Sequence, residues 1–295
     1  MPSASSQLAA TSRLFSSAVF REMAKKGRSA LFARLLRESC VANGCKDDAS
    51  VSDAFDKAFL ALKSIGSRDE YVYRAALTHK ILMGTHSLNT ASMLNEFRAG
   101  DCRADIVILN GTATVYEIKS ERDSLTRLDK QISNYRRVFA KVYVISSEAH
   151  VDNIASTIPK DVGILRLSQR YQISTLREAK NDPGRICTTT LFESLRRTEA
   201  KTVLEELKIN IPSAPNTEMH SLLRQAFKNL DPENTHRTVV KVLKKTRSLS
   251  PLSELVKNLP SSLHAAALSI PLHKTDHDRL ITATKTPLSD ASSWI

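Results

Sequence analysis

Apolar positions recur with two different periods along this chain, and the change of period divides it. From Met93 to Ser120 they alternate with polar ones or run together in short stretches rich in Val, Ile, Thr and Tyr, which is the signature of strands. The run Arg103–Ser120 (RADIVILNGTATVYEIKS) predicts two strands joined at Asn110-Gly111, since Asn-Gly between apolar runs is a strong hairpin signal. Met93–Ala99 predicts a strand before them, closed by Gly100-Asp101. If those two residues form the loop, Ala99 pairs with Cys102 and Glu96 falls opposite Asp105. A three-residue loop at Asn110–Thr112 brings Glu117 opposite Asp105 as well, whereas a two-residue loop puts Glu117 on the other face. The longer loop is preferred because it makes one row of three carboxylates.

Elsewhere the apolar period is helical. Leu14, Val19, Phe20, Met23, Leu31, Leu35 and Leu36 give an amphipathic helix over Leu14–Leu36, and Phe55, Phe59 and Leu62 give a second over Val51–Ser64. A third opens at Ser67–Glu70 and runs to about Met83, with Gly84 as its stop. Leu125, Leu128, Ile132, Tyr135 and Phe139 stripe a helix over Ser124–Phe139. Strands at Lys141–Ser146 (KVYVIS), Val162–Leu167 and Ile173–Leu176 follow, with a helix over Ala149–Thr157. Asn181-Asp-Pro-Gly184 is the clearest break. Beyond it helices are expected at Thr190–Leu207, Glu218–Leu230, Asn234–Arg247 and Leu252–Leu259. The tail, Thr282–Ile295, is expected to be poorly ordered unless Trp294 docks. The whole reads as α/β: a mixed sheet core flanked by helices over 67–180, a helical N-terminal segment over 1–66 and a helical, basic C-terminal accessory domain over 185–295.

Composition narrows the partners. The 295 residues are 41% hydrophobic, as in ordinary globular proteins, with net charge +12 and a pI of about 9.6. That excess favours a polyanion, and nucleic acid and anionic membrane both qualify. No apolar run reaches membrane-spanning length. Cys40, Cys45, Cys102 and Cys187 form no CxxC pair and read as reduced thiols of a cytoplasmic protein. The first 37 residues, rich in Ser, Ala and Arg, resemble a transit peptide in composition. Glu22 and Glu38 interrupt that pattern and favour a plain amphipathic helix.

The carboxylates carry the chemistry. Like charges opposite one another destabilise a sheet, so a row of Glu96, Asp105 and Glu117 is costly unless a cation sits among them. Hard oxygen donors suit Mg2+ or Mn2+. Removing Glu117 from such a row should relieve repulsion and leave the metal-free protein no less stable. Lys119 could position or deprotonate a water, or steady a phosphate charge. The bland alternative is a pair of surface acids on a solvated sheet face. Glu70 has two readings, as the partner of Ser67 in a capping box or as a catalytic acid on the helix before the first strand. Gln131 and Tyr135 share one helix face, where Tyr135 suits core packing and a buried Gln131 amide needs a partner. Arg127 extends the polar edge towards a phosphate. Lys241, Lys244, Lys245 and Arg247 line a basic helix edge that is either solvated surface or a phosphate contact. His273 and His277 have a zinc-like spacing but a poor setting for it.

Asp105-x11-Glu117-Ile118-Lys119 resembles the Asp…Glu-x-Lys signature of the PD-(D/E)XK nuclease superfamily. Gln131-Ile-Ser-Asn-Tyr135 is similar to the Gln-xxx-Tyr motif of its RecB-like branch. Glu70–Val144 as a whole also resembles an uncharacterised bacterial family of that superfamily known by a locus label. Ala104 stands where many members have proline, and His79 and His86 match no metal-histidine pattern of the branch. The resemblance implies a restriction-endonuclease-like fold and Mg2+- or Mn2+-dependent hydrolysis of nucleic acid, DNA before RNA, in phage defence, repair or mobile-element biology. It implies that Asp105, Glu117 and the Ile118 carbonyl hold the metal, with Glu96 or Glu70 completing the shell. Lys119 would position the attacking water, and Gln131 and Tyr135 would orient the site. The rival readings are a non-catalytic nucleic-acid-binding protein that keeps the fold and a defence effector silent until a signal arrives.

Overall fold

The computed structural model describes residues 3–64, 68–211 and 213–295. They form two compact units. One comprises Leu82–Ser168 and Gln172–Leu249, the other Met1–Ile81, Gln169–Tyr171 and Ser250–Ile295.

The first unit is built on a six-stranded sheet in chain order: β1 (Ser92–Ala99), β2 (Cys102–Asn110), β3 (Thr112–Lys119), β4 (Lys141–Ser146), β5 (Gly163–Leu167) and β6 (Ile173–Arg177). β1 to β3 form an antiparallel meander, β3, β4 and β5 run parallel, and β6 returns antiparallel. Parallel neighbours need crossovers, and the helices Leu128–Arg136 and Val151–Thr157 supply them. The mixed α/β architecture is therefore the one the two apolar periods predict. Ala99 pairs with Cys102 and Leu109 with Ala113, so both registers are the expected ones, although Asn110 and Thr112 themselves pair and leave Gly111 alone between β2 and β3. Gly100 (φ +59°) and Gly111 (φ +70°) hold left-handed turn positions that a side chain would strain. The crossover helix is shorter than its apolar stripe. Leu125 lies before the first helical turn, and Arg127 is the N-cap residue.

The helices Thr188–Phe192, Arg197–Glu206, Asn216–Lys228 and Pro232–Thr246 cover the same sheet face as Leu128–Arg136. Met219, Leu223, Phe227, Val239, Val240, Val242 and Leu243 are all buried in one cluster with Val107, Val115 and Val144. At about 1.5–3 kcal/mol for each fully buried apolar side chain, stripping these helices away would forfeit on the order of 10 kcal/mol or more. That is comparable to the whole stability of a domain. The packing thus runs differently from the boundary expected at Asn181–Gly184. The break is local, and long-range bonds cross it: Asp182 N–H donates to the Ala140 carbonyl, and Arg185 reaches Asp161 at 2.8 Å and the Ala140 carbonyl at 3.1 Å. The helix expected over Thr190–Leu207 is broken at 193–196, where the Glu199 carboxylate caps the Arg196 N–H at 2.8 Å and restarts it.

The second unit is helical. In place of one helix over Leu14–Leu36 there are three: Ala4–Leu14, Ser17–Lys26 and Ala30–Ser39. The reason is local. Ser16 and Ser29 accept backbone N–H bonds as N-caps, and Gly27 (φ +72°) ends the middle helix. Phe15, Phe32, Phe55, Phe59 and Tyr71 form an aromatic cluster that joins these helices to Val51–Leu62 and Glu70–Leu77. The capping role expected of Ser67 lies outside the described residues. Asp69 is the N-cap of Glu70–Leu77, accepting the Val72 N–H. That helix widens into a π-helical turn, Thr78–Leu82, and Gly84 lies within a last short turn, Met83–Thr85, rather than beyond it. The C-terminal stretch is ordered, in helices His277–Lys285 and Leu288–Ala291. Trp294 docks 5.6 Å from the Phe32 ring, and Arg37 donates to the Ser292 carbonyl. Among the described residues no helix is long and apolar enough to cross a membrane.

Candidate active site

The antiparallel ladder between β1 and β2 is regular except at one rung. Asn95 pairs with Ile106 and Phe97 with Ala104, which leaves Glu96 facing Asp105 as expected, but without a ladder pairing. Glu96 sits at φ +51°, a left-handed conformation that costs a non-glycine residue on the order of 1 kcal/mol or more. Alternation breaks at the same level in both strands. Leu94, Phe97 and Ala99 all join the core, as do Ala104 and Val107, so each strand changes face there. A Glu96 oxygen and an Asp105 oxygen lie within 4.8 Å of one another. Asp105 Oδ2 accepts the Ile118 N–H of β3 at 2.7 Å, taking the place of a ladder carbonyl.

Glu117 goes elsewhere. It is 1% exposed, and its two oxygens are held by three side chains. Oε1 accepts from Lys119 Nζ at 2.7 Å and from Gln131 Nε2 at 2.5 Å. Lys119 Nζ also donates to Gln131 Oε1 at 2.9 Å, closing a triangle. The Tyr135 hydroxyl lies 2.7 Å from Glu117 Oε2 and 2.7 Å from the Arg103 carbonyl, so its one proton is shared between two acceptors. Burial raises the Tyr135 pKa, and the charge on Glu117 and its hydrogen bond raise it further. The phenol therefore stays protonated and acts as a donor. The partner that a buried Gln131 amide requires is present for both of its ends. Glu96, Asp105 and Glu117 do not form a set of three oxygens all within 4.8 Å, so the single carboxylate row is replaced by two groups. The physical reason is competition: Lys119, Gln131 and Tyr135 satisfy Glu117 on the helix side of the sheet.

Glu70 belongs to the other unit, about half exposed, where it pairs with Arg74 one helical turn on. His86 meets the Asn110 amide at 2.9 Å, at the far end of β2 from Asp105, about 17 Å along a five-residue strand rise. His79 packs edge-on against His264 at 5.5 Å, and burial with the His264 charge lowers its pKa to about 4. His273 and His277 lie at the turn before the Trp294 arm, and among the described residues they join no three-ligand set. Arg127 is exposed, at the start of the crossover helix. Of the basic edge, Lys245 is exposed and Lys244 partly so, Lys241 pairs with Glu206 at 2.7 Å, and Arg247 is diverted to buried Glu199 and the face of Phe97. Arg98 and Arg103 belong to no sequence motif, and only the Ala99–Cys102 register sets them opposite one another.

Fold and site together define an α/β protein whose mixed sheet opens at a carboxylate rung beside a buried Glu–Lys–Gln–Tyr network. The chain belongs to the family of bacteriophage P4 protein cII, whose family model matches residues 64–262. It is 31% identical over 102 residues to protein cII of Enterobacteria phage P4, a match spanning 34% of this chain and 38% of that protein. Among solved structures it is similar to SPO1766, a protein of unknown function from Silicibacter pomeroyi. That likeness has 20% identity and a TM-score of 0.30, covering 46% of this chain and 88% of the other.

Proposed function

We propose that this protein is a metal-dependent nuclease that hydrolyses phosphodiester bonds of nucleic acid, DNA in the first instance. The observation that carries the reading is the Glu117–Lys119–Gln131–Tyr135 network, closed within hydrogen-bond distances around β3, one residue from the Ile118 N–H held by Asp105. All four residues are those the PD-(D/E)XK resemblance assigns to the site.

The donors fit a hard cation. Glu96 and Asp105 present oxygens within 4.8 Å of one another, and among the described residues no His or Cys joins them in a ligand set, which suits Mg2+ or Mn2+ retaining waters. Such an ion would supply Lewis-acid polarisation of a phosphoryl oxygen and a more acidic bound water. The side chains divide the other work. Glu117 holds the Lys119 ammonium, Gln131 fixes both, and Tyr135 orients Glu117 by donating to it. Lys119 is thereby placed to steady an anionic phosphate or position a water. Glu117 serves here as the charge partner of Lys119. Its role as a metal ligand with the Ile118 carbonyl would require it to exchange partners. One observation favours the rival, a nucleic-acid-binding protein without chemistry: the Lys119 amine is already engaged twice. Membership of a family named for a phage protein supports a setting in mobile-element biology.

The test incubates the protein with linear, circular and single-stranded DNA, with Mg2+, with Mn2+ and with neither. Metal-dependent cleavage that Asp105→Ala abolishes is expected. Equal cleavage by the wild type and Asp105→Ala would assign the activity elsewhere, and binding without cleavage would leave the non-catalytic reading.

A further inference from the structure

β1 and β2 carry two like-charged rungs in succession. The first is Glu96 facing Asp105, and two residues along Arg98 pairs directly with Arg103. Phe97, Ala99 and Ala104 turn into the core, so the alternation directs Arg98 and Arg103 away from it together, and both are exposed. Two cations directly opposite destabilise an antiparallel pair. Among the described residues neither guanidinium lies within ion-pair distance of a carboxylate. Arg98 Nε makes only a long, 3.5 Å contact to the Gly100 carbonyl.

The rung is nonetheless held rigidly. Gly100 lies against Asn134, whose Oδ1 accepts the Asp101 N–H at 3.3 Å, and the Arg103 carbonyl lies 2.7 Å from the Tyr135 hydroxyl. The same helix therefore positions both Glu117 and the arginine rung. Arg98 also lines a pocket of about 180 Å³, large enough for a phosphate group, together with Arg197, His220, Phe192, Leu223 and Glu193, whose carboxylate lies 3.3 Å from both His220 and Arg224.

We propose that Arg98 and Arg103 are a phosphate clamp that grips the backbone of a nucleic-acid strand beside the Glu96–Asp105 rung, with Arg197 receiving the next phosphate along. Paired guanidiniums present forked donors to phosphate oxygens, the geometry suited to bidentate recognition. An anionic carboxylate rung next to a cationic one fits a ligand that carries phosphates in series better than a uniformly anionic membrane surface does. The proposal rests on the nuclease reading for its substrate but not for its binding test.

The experiment compares the wild-type chain with Arg98→Gln/Arg103→Gln, Arg98→Lys/Arg103→Lys and Arg197→Gln. Fluorescence anisotropy with labelled duplex and single-stranded oligonucleotides is measured across a salt series without divalent ions. The Gln pair should weaken binding about tenfold or more at moderate salt. It should also reduce the salt slope by about 1.8 on duplex and about 1.4 on single strands, the loss expected for two phosphate contacts. The Lys pair should keep the slope, and Arg197→Gln should lose about half as much as the Gln pair. Manganese binding by calorimetry should not change. Melting temperature should hold or rise slightly, since the repulsion is gone. Unchanged affinity and slope in the Gln pair would overturn the clamp while leaving wild-type cleavage, and with it the nuclease reading, intact. A reduced slope with no cleavage by any form would support the clamp and remove the nuclease. No binding of either oligonucleotide by the wild type, or a stronger and arginine-dependent binding to vesicles of anionic lipid, would overturn the clamp.

Discussion

Two buried glutamates in the sheet-bearing unit make an instructive contrast. Glu199 is 2% exposed and Glu117 1%, and each is held by a cation and further donors. Glu199 receives Arg247 through two 2.7 Å bonds, the Thr246 hydroxyl at 3.1 Å and the Arg196 N–H at 2.8 Å. That arrangement ties the end of one helix to the start of another, and it is complete in itself. Glu117 receives Lys119, Gln131 and Tyr135, yet its strand neighbour Ile118 contributes a backbone N–H to Asp105 at the opened rung. Burial and pairing therefore do not mark a site on their own. What distinguishes Glu117 is the pair of carboxylates brought near its strand by a backbone conformation that costs energy to hold.

The comparison breaks most sharply in activity. Asp105→Ala and Lys119→Ala should each lower DNA cleavage by about 10²–10³-fold or more, the scale of lost electrostatic stabilisation, while both still bind DNA at low salt. Glu199→Gln should leave the rate per folded molecule near wild type. Assays on all three, corrected for folded fraction, check this.

Stability should treat the two glutamates alike. Removing one member of a buried ion pair strands the other, at about 3–5 kcal/mol. Urea unfolding of Glu117→Ala and Glu199→Ala should both show losses of that order. The sequence alone led to the opposite expectation at Glu117, relief from a crowded acidic row. A Glu117 variant as stable as wild type would restore that row.

A smaller effect concerns pH. His236 Nε2 accepts the Ala113 N–H at 3.2 Å, so the ring is neutral, and burial lowers its pKa from 6.5 to about 4. The unfolded chain binds that proton more readily than the folded one. Stability from this residue is thus full above about pH 6.5 and is lost as pH falls towards 4, by at most about 1.4 kcal/mol per pH unit. Denaturant titrations at pH 7, 6 and 5 should show the decline, and His236→Gln should flatten it.

The smallest effect belongs to the basic helix edge. The Lys241–Glu206 bridge is exposed and screened by solvent, so Lys241→Ala should barely move the melting temperature. Because Lys241 is already paired, replacing Lys241, Lys244 and Lys245 together should reduce the salt slope for DNA by less than three contacts' worth.

Much of the sheet was legible because its information is local. Gly100-Asp101 and Asn110-Gly111 fixed two turns, the turns fixed two registers, and KVYVIS could only be a buried strand. The pairing of Gln131 and Tyr135 on one helix face was legible for the same reason. The left-handed Glu96 was not, since nothing in NEF announces a change of face. Nor was the inward turn of Glu117, which depends on three side chains from two elements converging on it. Helical segments showed which face is apolar but not what it meets, so the packing of 188–246 onto the sheet was hidden. Asn181–Gly184 read as a boundary because Arg185 reaches Asp161 only in three dimensions.

The docked C-terminal arm gives the molecule a built-in reporter. Trp294 is the sole tryptophan of the chain and lies against Phe32 in the helical unit. Indole emission during denaturation therefore follows that unit alone, while far-ultraviolet dichroism follows both. Coincident curves would show the two units melting as one cooperative block, and separated curves would give each its own midpoint without a label or a truncation.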